Sequence, residues 1–318
     1  MQKHGGAFFV FTFQGECQPL LMIARLKKLL NGIYTPKEML LFIADGIRRK
    51  IFRVPSRLYV EAHARRVLKP EGGVYHIKDV RLPALDPVTE GSFLAVEFED
   101  TFHSYVYCDD KYDEATFDRC DKFLGEGLYG LVNDKVNVTV EAGDIVIDAG
   151  SWIGDFAAYA SAKGATCYAF EPADVNFTML QKTAGLNRNI IPVKKGLSDE
   201  NTSRNLFVDP SHYSGSSFLE ELKPGFEGTQ VETVRLDDFV RENNLPRVDF
   251  IKCDIEGFER HMLEGAQETL ARFAPKLALC TYHLPDDPQV MEALIKKANP
   301  KYNVVQKRKK LFASVPQE

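Results

Sequence analysis

The sequence lacks several patterns that would place it in a specialised class of protein. Its 318 residues include six cysteines, and none of these form the C-x-x-C spacing typical of zinc sites and dithiol redox motifs. No apolar run approaches the roughly 20 residues that a membrane-spanning helix needs. Residues 7–13 are apolar, but no A-x-A-like cleavage site follows them, so no signal peptide is predicted. We therefore expect a cytoplasmic protein in which Cys167, Cys253 and Cys280 are reduced and buried.

An overall positive charge is also absent. The formal net charge of −5 argues against a general nucleic-acid binder. Basic residues are nevertheless concentrated between Arg25 and Lys69, in and around two predicted helices at Leu20–Leu30 and Pro36–Phe52. Three interpretations of these helices stay open: a solvated basic face, a contact surface for a membrane or an anionic substrate, and a nucleic-acid site. The third lacks the interleaved aromatic and basic residues of an RNA-binding module.

The chain divides into two predicted units, residues 1–125 and residues 126–318. The first unit is predicted to be an α+β accessory region that contains the two basic helices. Its small sheet is predicted from three segments rich in β-branched and aromatic residues: Val74–Lys78, Ser92–Phe98 and Tyr105–Cys108. A predicted helix, Asp113–Leu124, is followed by the glycine-rich stretch Gly125–Gly130, which is either a linker or a lid over a pocket.

From Val140 onwards, short apolar strands alternate with helices. The predicted strands are Asp144–Asp148, Ala165–Phe170, Ile190–Lys195, Val248–Cys253 and Leu277–Tyr282, and the predicted helices are Phe156–Ala162, Val175–Asn187 and Glu259–Phe273. This alternation predicts an α/β fold with a doubly wound, mostly parallel sheet covered on both faces. The last two strand-like runs, Tyr302–Gln306 and Leu311–Val315, leave no room for a helix between them, so they are predicted to form an antiparallel hairpin.

The first strand of this unit runs into a glycine turn, Val146–Gly154, with the sequence VIDAGSWIG. Glycines in such a turn let backbone N–H groups approach a ligand, and the N-terminus of the following helix favours electron-rich groups. A similar turn also occurs where a helix merely packs closely on a strand. The turn alone therefore does not define a nucleotide site.

Acidic residues and one histidine follow the later strands. Glu171 ends the second strand, where the acid of a dinucleotide fold reaches the ribose hydroxyls, although an acid there can also cap a helix. Asp254 and Glu256 follow the fourth strand, and Glu259 could simply begin the next helix. His283 follows the fifth strand. Because open α/β sheets bind ligands at the carboxyl ends of their strands, these side chains are predicted to meet at one site.

Five blocks in this order resemble the FkbM-type S-adenosylmethionine-dependent methyltransferases, a class I family. The blocks are DAGSWIG at 148–154, FEP at 170–172, GLSD at 196–199, FIKCDIEGFE at 250–259 and YH at 282–283. The Lys-x-Asp-x-Glu-Gly-x-Glu pattern is the most specific of them. The resemblance covers residues 126–315 and implies a Rossmann-like, seven-stranded sheet whose last strand is antiparallel. It also implies methylation of a hydroxyl on a sugar, a polyketide or a related small molecule. Residues 1–125 carry no resemblance and could hold the acceptor specificity.

The resemblance implies a site for S-adenosylmethionine. The expected cofactor-binding residues are Asp148, Gly150, Ser151 and Gly154 on the methionine and ribose side, Glu171 at the ribose diol, Asn176 and Ser198 near the adenosine, and Asp254. Methyl transfer needs no covalent nucleophile, only alignment of the acceptor and a base for its proton. His283 or Asp254 is expected to be that base, with Glu256 in the same catalytic group. These three could instead bind a divalent metal, but their spacing in the sequence does not define a site, and none is predicted.

Two other functions remain open. An NAD(P)-dependent dehydrogenase would share the glycine turn and Glu171, although Asp148 stands where the dinucleotide fingerprint has its first glycine. A non-catalytic binding protein could keep the same fold and be held at a membrane by the basic helices. The presence of Asp254, Glu256 and His283 argues against that alternative. The expected partner is a small-molecule acceptor and not a nucleic acid.

Overall fold

The computed structural model describes residues 71–77, 79–83, 112–115, 117–118, 129–208 and 215–316. All of them lie in one compact unit, residues 63–318. Several predicted elements lie outside the described residues: the two basic helices, the strands at 92–98 and 105–108, most of the helix at 113–124 and most of the glycine-rich stretch 125–130.

The described residues form fourteen strands and six α-helices. The strands are β1 (Val74–Ile77), β2 (Val80–Pro83), β3 (Leu131–Val132), β4 (Asn137–Val138), β5 (Ile145–Ala149), β6 (Thr166–Phe170), β7 (Ile190–Val193), β8 (Gly196–Leu197), β9 (Thr202–Phe207), β10 (Gly228–Val234), β11 (Phe250–Cys253), β12 (Lys276–Cys280), β13 (Asn303–Lys307) and β14 (Lys310–Ser314). The helices are α1 (Asp155–Ala162), α2 (Asp174–Leu186), α3 (Leu236–Glu242), α4 (Glu259–Glu264), α5 (Gln267–Phe273) and α6 (Asp287–Ala298). A short 3-10 helix spans Glu220–Leu222.

A seven-stranded sheet forms the centre of this unit, with the strand order β13-β14-β12-β11-β5-β6-β7. Strands β12, β11, β5, β6 and β7 run parallel to one another. Strand β14 is antiparallel to both of its neighbours, β12 and β13. The predicted doubly wound sheet with an antiparallel C-terminal hairpin is confirmed, and so is the seven-stranded arrangement that the resemblance implied.

The two faces of this sheet are covered by different helices. Val146 and Phe250 point to the face that packs against α1 and α2, together with Phe156. Their chain neighbours Ile147 and Ile251 point to the other face, which packs against α3, α4, α5 and α6. Because side chains alternate along a strand, each buried strand supplies both cores. Burying a side chain of this size stabilises the fold by about 1.5–3 kcal/mol, so the sheet anchors the strand ends that form the site.

A hairpin of the predicted accessory region packs on the same unit. Strand β1 confirms the strand predicted at 74–78, and it pairs with the unpredicted β2. The side chain of Asn187 accepts a hydrogen bond from the N–H of Arg81 at 3.3 Å and donates one to its carbonyl at 2.7 Å. Tyr75 and Leu82 join the core that contains α1. The division into residues 1–125 and 126–318 stays a prediction.

A three-stranded sheet, ordered β8-β10-β9, was not predicted. Strand β8 is only two residues long, and β9 and β10 are mostly exposed until their last two residues. The apolar alternation on which strand prediction depends is therefore missing from most of their length. This small sheet follows β7 in the chain and supplies part of the wall of the site described below.

The prediction of one helix over Glu259–Phe273 is wrong, because the chain forms two helices, α4 and α5, at this place. Helix α4 ends at Glu264, and the carbonyl of the next residue, Gly265, accepts a hydrogen bond from the N–H of Asp237 at 2.9 Å. The carboxylate of Asp237 then accepts bonds from the N–H groups of Glu268 and Thr269, at 3.1 and 2.8 Å. A side chain from α3 thus satisfies the first turn of α5, which lets the chain start a new helix.

Two further expectations concern the cysteines and the membrane. Cys167, Cys253 and Cys280 are buried and free, as predicted. In the part of the chain that the structure describes, no helix combines the length and the apolar character required to cross a bilayer.

Candidate functional site

A cavity lies at the carboxyl ends of β5, β6 and β11. It contains about 500 Å³ of space, including its open mouth. Gly150, Glu171 and Asn176 line one part of it, and Asp254 and Glu256 line another. Ten further lining residues were not predicted as site residues: Trp152, Phe170, Pro172, Lys195, Gly196, Leu197, Leu206, Ser216, Phe218 and Ile255. Open α/β sheets bind ligands at this edge of the sheet.

The glycine turn after β5 is held by contacts within the fold. Gly150 has φ of +74°, and a Cβ atom there would lie 1.9 Å from the carbonyl oxygen of Asp254. Only glycine tolerates such a conformation at so close an approach. The N–H groups of Gly150 and Ser151 donate to the carbonyl of Phe170 at 3.1 and 2.9 Å. These two N–H groups therefore fix the turn to β6 and do not face a ligand.

Ser151 and Gly154, both expected at the cofactor, lie outside the cavity lining. The Ser151 hydroxyl is buried and donates to the carbonyl of Asp148 at 2.9 Å. Gly154 precedes α1 and has φ of +83°, and a Cβ atom there would lie 2.6 Å from Leu180 of α2. Both residues shape the turn and the packing of α1 against α2. Such packing was the second interpretation of the glycine turn, beside ligand binding.

Asp148 is fully buried and forms an ion pair. Its Oδ1 lies 3.1 Å from Nζ of Lys252, a side chain that is itself almost entirely buried. Lys252 also donates to the carbonyl of Gly150 at 2.5 Å. Burial would lower the pKa of Lys252, but Asp148 and Asp254 outweigh burial and raise it, so the ammonium stays charged. Asp148 thus contributes to the site through Lys252, a residue whose role was not predicted.

Glu171 lies at the tip of β6 with only 5% of its surface exposed. Its carboxylate accepts hydrogen bonds from the N–H groups of Trp152 and Ala173 at 3.0 and 2.9 Å. Asn176 contacts the same carboxylate at 3.5 Å. Burial raises the pKa of Glu171 to about 7, and these hydrogen bonds only partly oppose that rise. A carboxylate that is oriented by backbone groups and lines a cavity is suited to accept hydrogen bonds from a diol.

Ser198 was expected near the adenosine but does not line the cavity. It follows β8, is fully buried, and its hydroxyl donates to the carboxylate of Asp199 at 2.8 Å. Its neighbour in the chain, Leu197, is the residue that reaches the cavity wall.

The acidic turn after β11 is built around Glu259. This side chain is fully buried, and its carboxylate accepts hydrogen bonds from the N–H groups of Ile255 and Gly257 at 2.9 and 3.1 Å. Glu256 adopts φ of +53°, a conformation that is uncommon for residues other than glycine. Glu259 therefore does more than begin α4, since it holds the turn that presents Asp254 and Glu256 to the cavity.

His283 lies behind these carboxylates with 5% of its side chain exposed. Its Nδ1 is 3.0 Å from Oε1 of Glu259. Its Nε2 is 3.5 Å from Oε1 of Glu256 and 3.8 Å from Oδ1 of Asp254. Burial would lower the pKa of His283, but Glu256, Glu259 and Asp254 outweigh it and raise the pKa to about 11. In the absence of a ligand the imidazole is therefore protonated at neutral pH, a state that cannot accept a proton.

Tyr129, at the end of the glycine-rich stretch 125–130, reaches the same group of residues. Its hydroxyl donates to Oδ2 of Asp254 at 2.5 Å. Burial would raise the pKa of Asp254, but Lys252, His283 and the Tyr129 hydroxyl are among the groups that lower it below its usual value. The carboxylate is therefore ionised at neutral pH. The end of a stretch predicted as a linker or a lid thus contacts the site.

The structure brings together five of the predicted residues at the cavity: Gly150, Glu171, Asn176, Asp254 and Glu256. His283 contacts two of them from behind, whereas Asp148, Ser151, Gly154 and Ser198 support the surrounding turns. The roles of all ten in binding and catalysis stay predictions. Glu259 and Lys252 could have been found in the sequence, because both belong to the Lys-x-Asp-x-Glu-Gly-x-Glu pattern.

Comparisons with known proteins find one family model and several methyltransferases. A sequence model described as "Methyltransferase FkbM domain" matches residues 144–302, which are 159 of the 318 residues. The hexuronic acid methyltransferase AglP of Haloferax volcanii is 28% identical over 160 residues, which cover 50% of this chain and 64% of that protein. The 31-O-demethyl-FK506 methyltransferase FkbM of Streptomyces tacrolimicus is 29% identical over 188 residues, which cover 49% of this chain and 68% of that protein.

Among solved structures, a methyltransferase FkbM from Methylobacillus flagellatus aligns with a TM-score of 0.40 and 21% sequence identity. The alignment covers 54% of this chain and 43% of that chain. The chain therefore spans about two thirds of the length of the two curated relatives and less than half of this solved structure.

Proposed function

This chain belongs to the FkbM methyltransferase family, and we propose that it transfers the methyl group of S-adenosylmethionine to a hydroxyl of a sugar or other small metabolite. The observation that carries this proposal is that acidic side chains from two different strand ends line one cavity. Glu171 lines it at the tip of β6, and Asp254 and Glu256 line it after β11. One relative is named for 31-O-demethyl-FK506, which supports an oxygen acceptor, and the other is named for a hexuronic acid, which supports a sugar acceptor.

The residues around Glu171 fit the cofactor. A buried carboxylate that keeps acceptor capacity beyond its bonds to Trp152 and Ala173 can accept hydrogen bonds from a ribose diol. Leu197, Leu206 and Phe218 offer apolar and aromatic surface in the same cavity, which suits a purine ring. The cofactor, when bound, supplies an electrophilic methyl group on a sulfonium, so the protein needs no covalent nucleophile.

On the acceptor side, the protein must orient a hydroxyl and take up its proton. Asp254 and His283 were the two candidates for the base. The protonated state of His283 favours Asp254, which is ionised and reaches the cavity. The lowered pKa of Asp254 makes it a weak base, so its main contribution would be to align the acceptor hydroxyl. The hydroxyl proton would pass to Asp254 only as the oxygen attacks the methyl group.

The test is a screen for transfer of an isotope-labelled methyl group from S-adenosylmethionine to sugars, uronic acids and other hydroxyl compounds. We expect label on an acceptor oxygen, located by NMR. Asp254→Asn should lower the turnover about 100-fold, the scale of losing a group that aligns the acceptor and takes up its proton. Asp174→Asn, which changes an exposed carboxylate, should leave turnover unchanged. Label on nitrogen only, or equal turnover in both variants, would contradict the proposal.

A further inference from the structure

Asp254, Glu256 and His283 bring three potential metal ligands to one point beside the cavity. Each of the three offers one ligand atom, and these atoms all lie within 4.8 Å of one another. An octahedral ion with ligands at about 2.0–2.1 Å separates neighbouring ligand atoms by roughly 3 Å and opposite ones by roughly 4.2 Å. The distances from Nε2 of His283 to the two carboxylates, 3.5 and 3.8 Å, fall between these values.

The second observation is that Nε2 of His283 has no hydrogen-bond partner. The side chain is 95% buried, and this nitrogen points toward the two carboxylates at distances too long for a hydrogen bond. Leaving a buried polar group unsatisfied is costly, so such a nitrogen calls for an explanation. A bound cation provides one: it would displace the Nε2 proton to solvent and take the lone pair of the neutral imidazole that results.

Glu259 sets the direction of the imidazole ring. Its Oε1 lies 3.0 Å from Nδ1, on the far side of the ring from Nε2. Two backbone N–H groups hold the same carboxylate, so its position is fixed by the turn. A carboxylate behind a metal-binding histidine is the usual device for fixing which nitrogen faces the ion.

The groups around Asp254 leave one of its oxygens available. Oδ2 accepts the Tyr129 hydroxyl, whereas Oδ1 faces His283 and has only a long 3.5 Å contact with the hydroxyl of Tyr282. Two buried lysines act on Asp254. Lys252 is bound to Asp148 and to the carbonyl of Gly150, and Lys310 lies over the ring of Tyr129. Both ammonium groups are therefore engaged by other partners than Glu256 and His283.

We propose that Asp254, Glu256 and His283 form a binding site for a divalent cation of the Mg²⁺ or Mn²⁺ class. Two carboxylates favour a hard cation, and the single imidazole shifts the preference toward Mn²⁺. Three protein ligands leave about three positions of an octahedral ion open. The cation would hold two neighbouring oxygens of an acceptor, as in a vicinal diol or a hydroxy acid, and lower the pKa of the bound hydroxyl. This role in acceptor binding rests on the proposed function, whereas cation binding itself does not.

The experiment is a titration of the full-length, EDTA-treated protein with Mn²⁺, with free Mn²⁺ followed by electron paramagnetic resonance. We expect one Mn²⁺ per chain. His283→Ala and Glu256→Gln should weaken its binding more than about ten-fold, because each removes one of three ligands. Glu259→Gln, which changes a positioning residue, should weaken it about 10–100-fold.

A second cluster provides the matched control. Asp199, His261 and Glu264 also gather two carboxylates and one histidine, but this cluster is more exposed, and Asp199 is engaged by Arg204. Glu264→Gln should therefore bind Mn²⁺ like the wild type. The proposal is overturned if no saturable binding occurs at millimolar Mn²⁺, or if Glu264→Gln loses as much affinity as Glu256→Gln.

Circular dichroism checks that each variant is folded, and calorimetry measures separately whether it binds S-adenosylmethionine. If His283→Ala fails this check, Glu256→Gln decides the outcome, since Glu256 is partly exposed and a structural loss is small there. If the protein binds S-adenosylmethionine but shows no saturable binding of Mn²⁺, the cation site alone is overturned. Binding of Mn²⁺ without S-adenosylmethionine would support the cation site and contradict the proposed function.

Discussion

Lys252 and Asp148 are direct neighbours across β11 and β5, and their charged atoms lie 3.1 Å apart with both side chains almost fully buried. Lys252 extends from this pair to the carbonyl of Gly150, in the turn that lines the cavity. Because a buried charge is costly without its partner, the two side chains depend on one another. The pair links the stability of the sheet to the shape of the site.

Lys252→Met should therefore be strongly destabilising, since it leaves Asp148 buried without a partner. We expect the free energy of unfolding, measured by urea denaturation, to fall by about 3–5 kcal/mol. The double variant Asp148→Asn with Lys252→Met should recover most of this loss. Lys194→Met, which removes an exposed ion pair with Asp174, should cost less than about 1 kcal/mol. If the double variant were no more stable than Lys252→Met, the loss of stability would not come from the unpaired Asp148.

Gly150→Ala should disrupt the turn. The new Cβ would lie 1.9 Å from the carbonyl oxygen of Asp254 and would force alanine into φ of +74°. We expect a loss of at least about 3 kcal/mol in the free energy of unfolding, together with loss of S-adenosylmethionine binding. Gly185→Ala in α2 is the control, because its Cβ would meet nothing within 4 Å. That change should be neutral or stabilising by up to about 1 kcal/mol. Equal behaviour of the two variants would refute the assigned geometry.

Cofactor affinity should depend on pH through Glu171. Its pKa is about 7, and only the ionised carboxylate accepts two hydrogen bonds from a diol. S-adenosylmethionine should therefore bind roughly ten-fold more tightly at pH 8 than at pH 6, because the ionised fraction rises from about 0.1 to about 0.9. Calorimetric titration of Glu171→Gln should show weaker and less pH-dependent binding. Glu232→Gln, at an exposed glutamate, should keep the wild-type dependence. If Glu171→Gln kept the wild-type pH dependence of S-adenosylmethionine affinity, another group would be responsible for it.

The stability of the ligand-free protein should change with pH in the opposite direction. The pKa of Glu171 is raised on folding from 4.5 to about 7, so the folded protein binds this proton more tightly than the unfolded chain does. Its contribution to stability is present below pH 4.5 and is lost as the pH rises to 7, by an amount on the order of 3 kcal/mol. Urea denaturation at pH 5, 6 and 7 should show a shallower decline for Glu171→Gln than for the wild type. Parallel curves would contradict the raised pKa.

Much of the central sheet was predictable because its strands are short, apolar and buried on both faces. Glu171, Asp254, Glu256 and His283 were expected at one edge, since parallel strands deliver their carboxyl ends there. The structure places the first three at the cavity and His283 behind them, and their roles stay predictions. The small sheet of β8, β9 and β10 was not predicted, because its strands are mostly polar. The break between α4 and α5 depends on Asp237, a side chain from another helix, and local periodicity carries no information about such a contact.

The site itself was predicted less completely than the fold. A sequence indicates that Lys252 and Glu259 stand near the acidic block, but not that Lys252 reaches the glycine turn or that Glu259 faces His283. Both contacts depend on side-chain directions that follow from tertiary packing. The same applies to Ser151 and Ser198, whose hydroxyls are used within the fold.

The central claim is that this cavity binds S-adenosylmethionine through Glu171. Calorimetric titration of the full-length protein with S-adenosylmethionine, and separately with NAD⁺ and NADP⁺, tests it most directly. We expect one S-adenosylmethionine per chain, at least ten-fold weaker binding to Glu171→Ala, and no saturable binding of either dinucleotide. Saturable binding of a dinucleotide without binding of S-adenosylmethionine would contradict the claim.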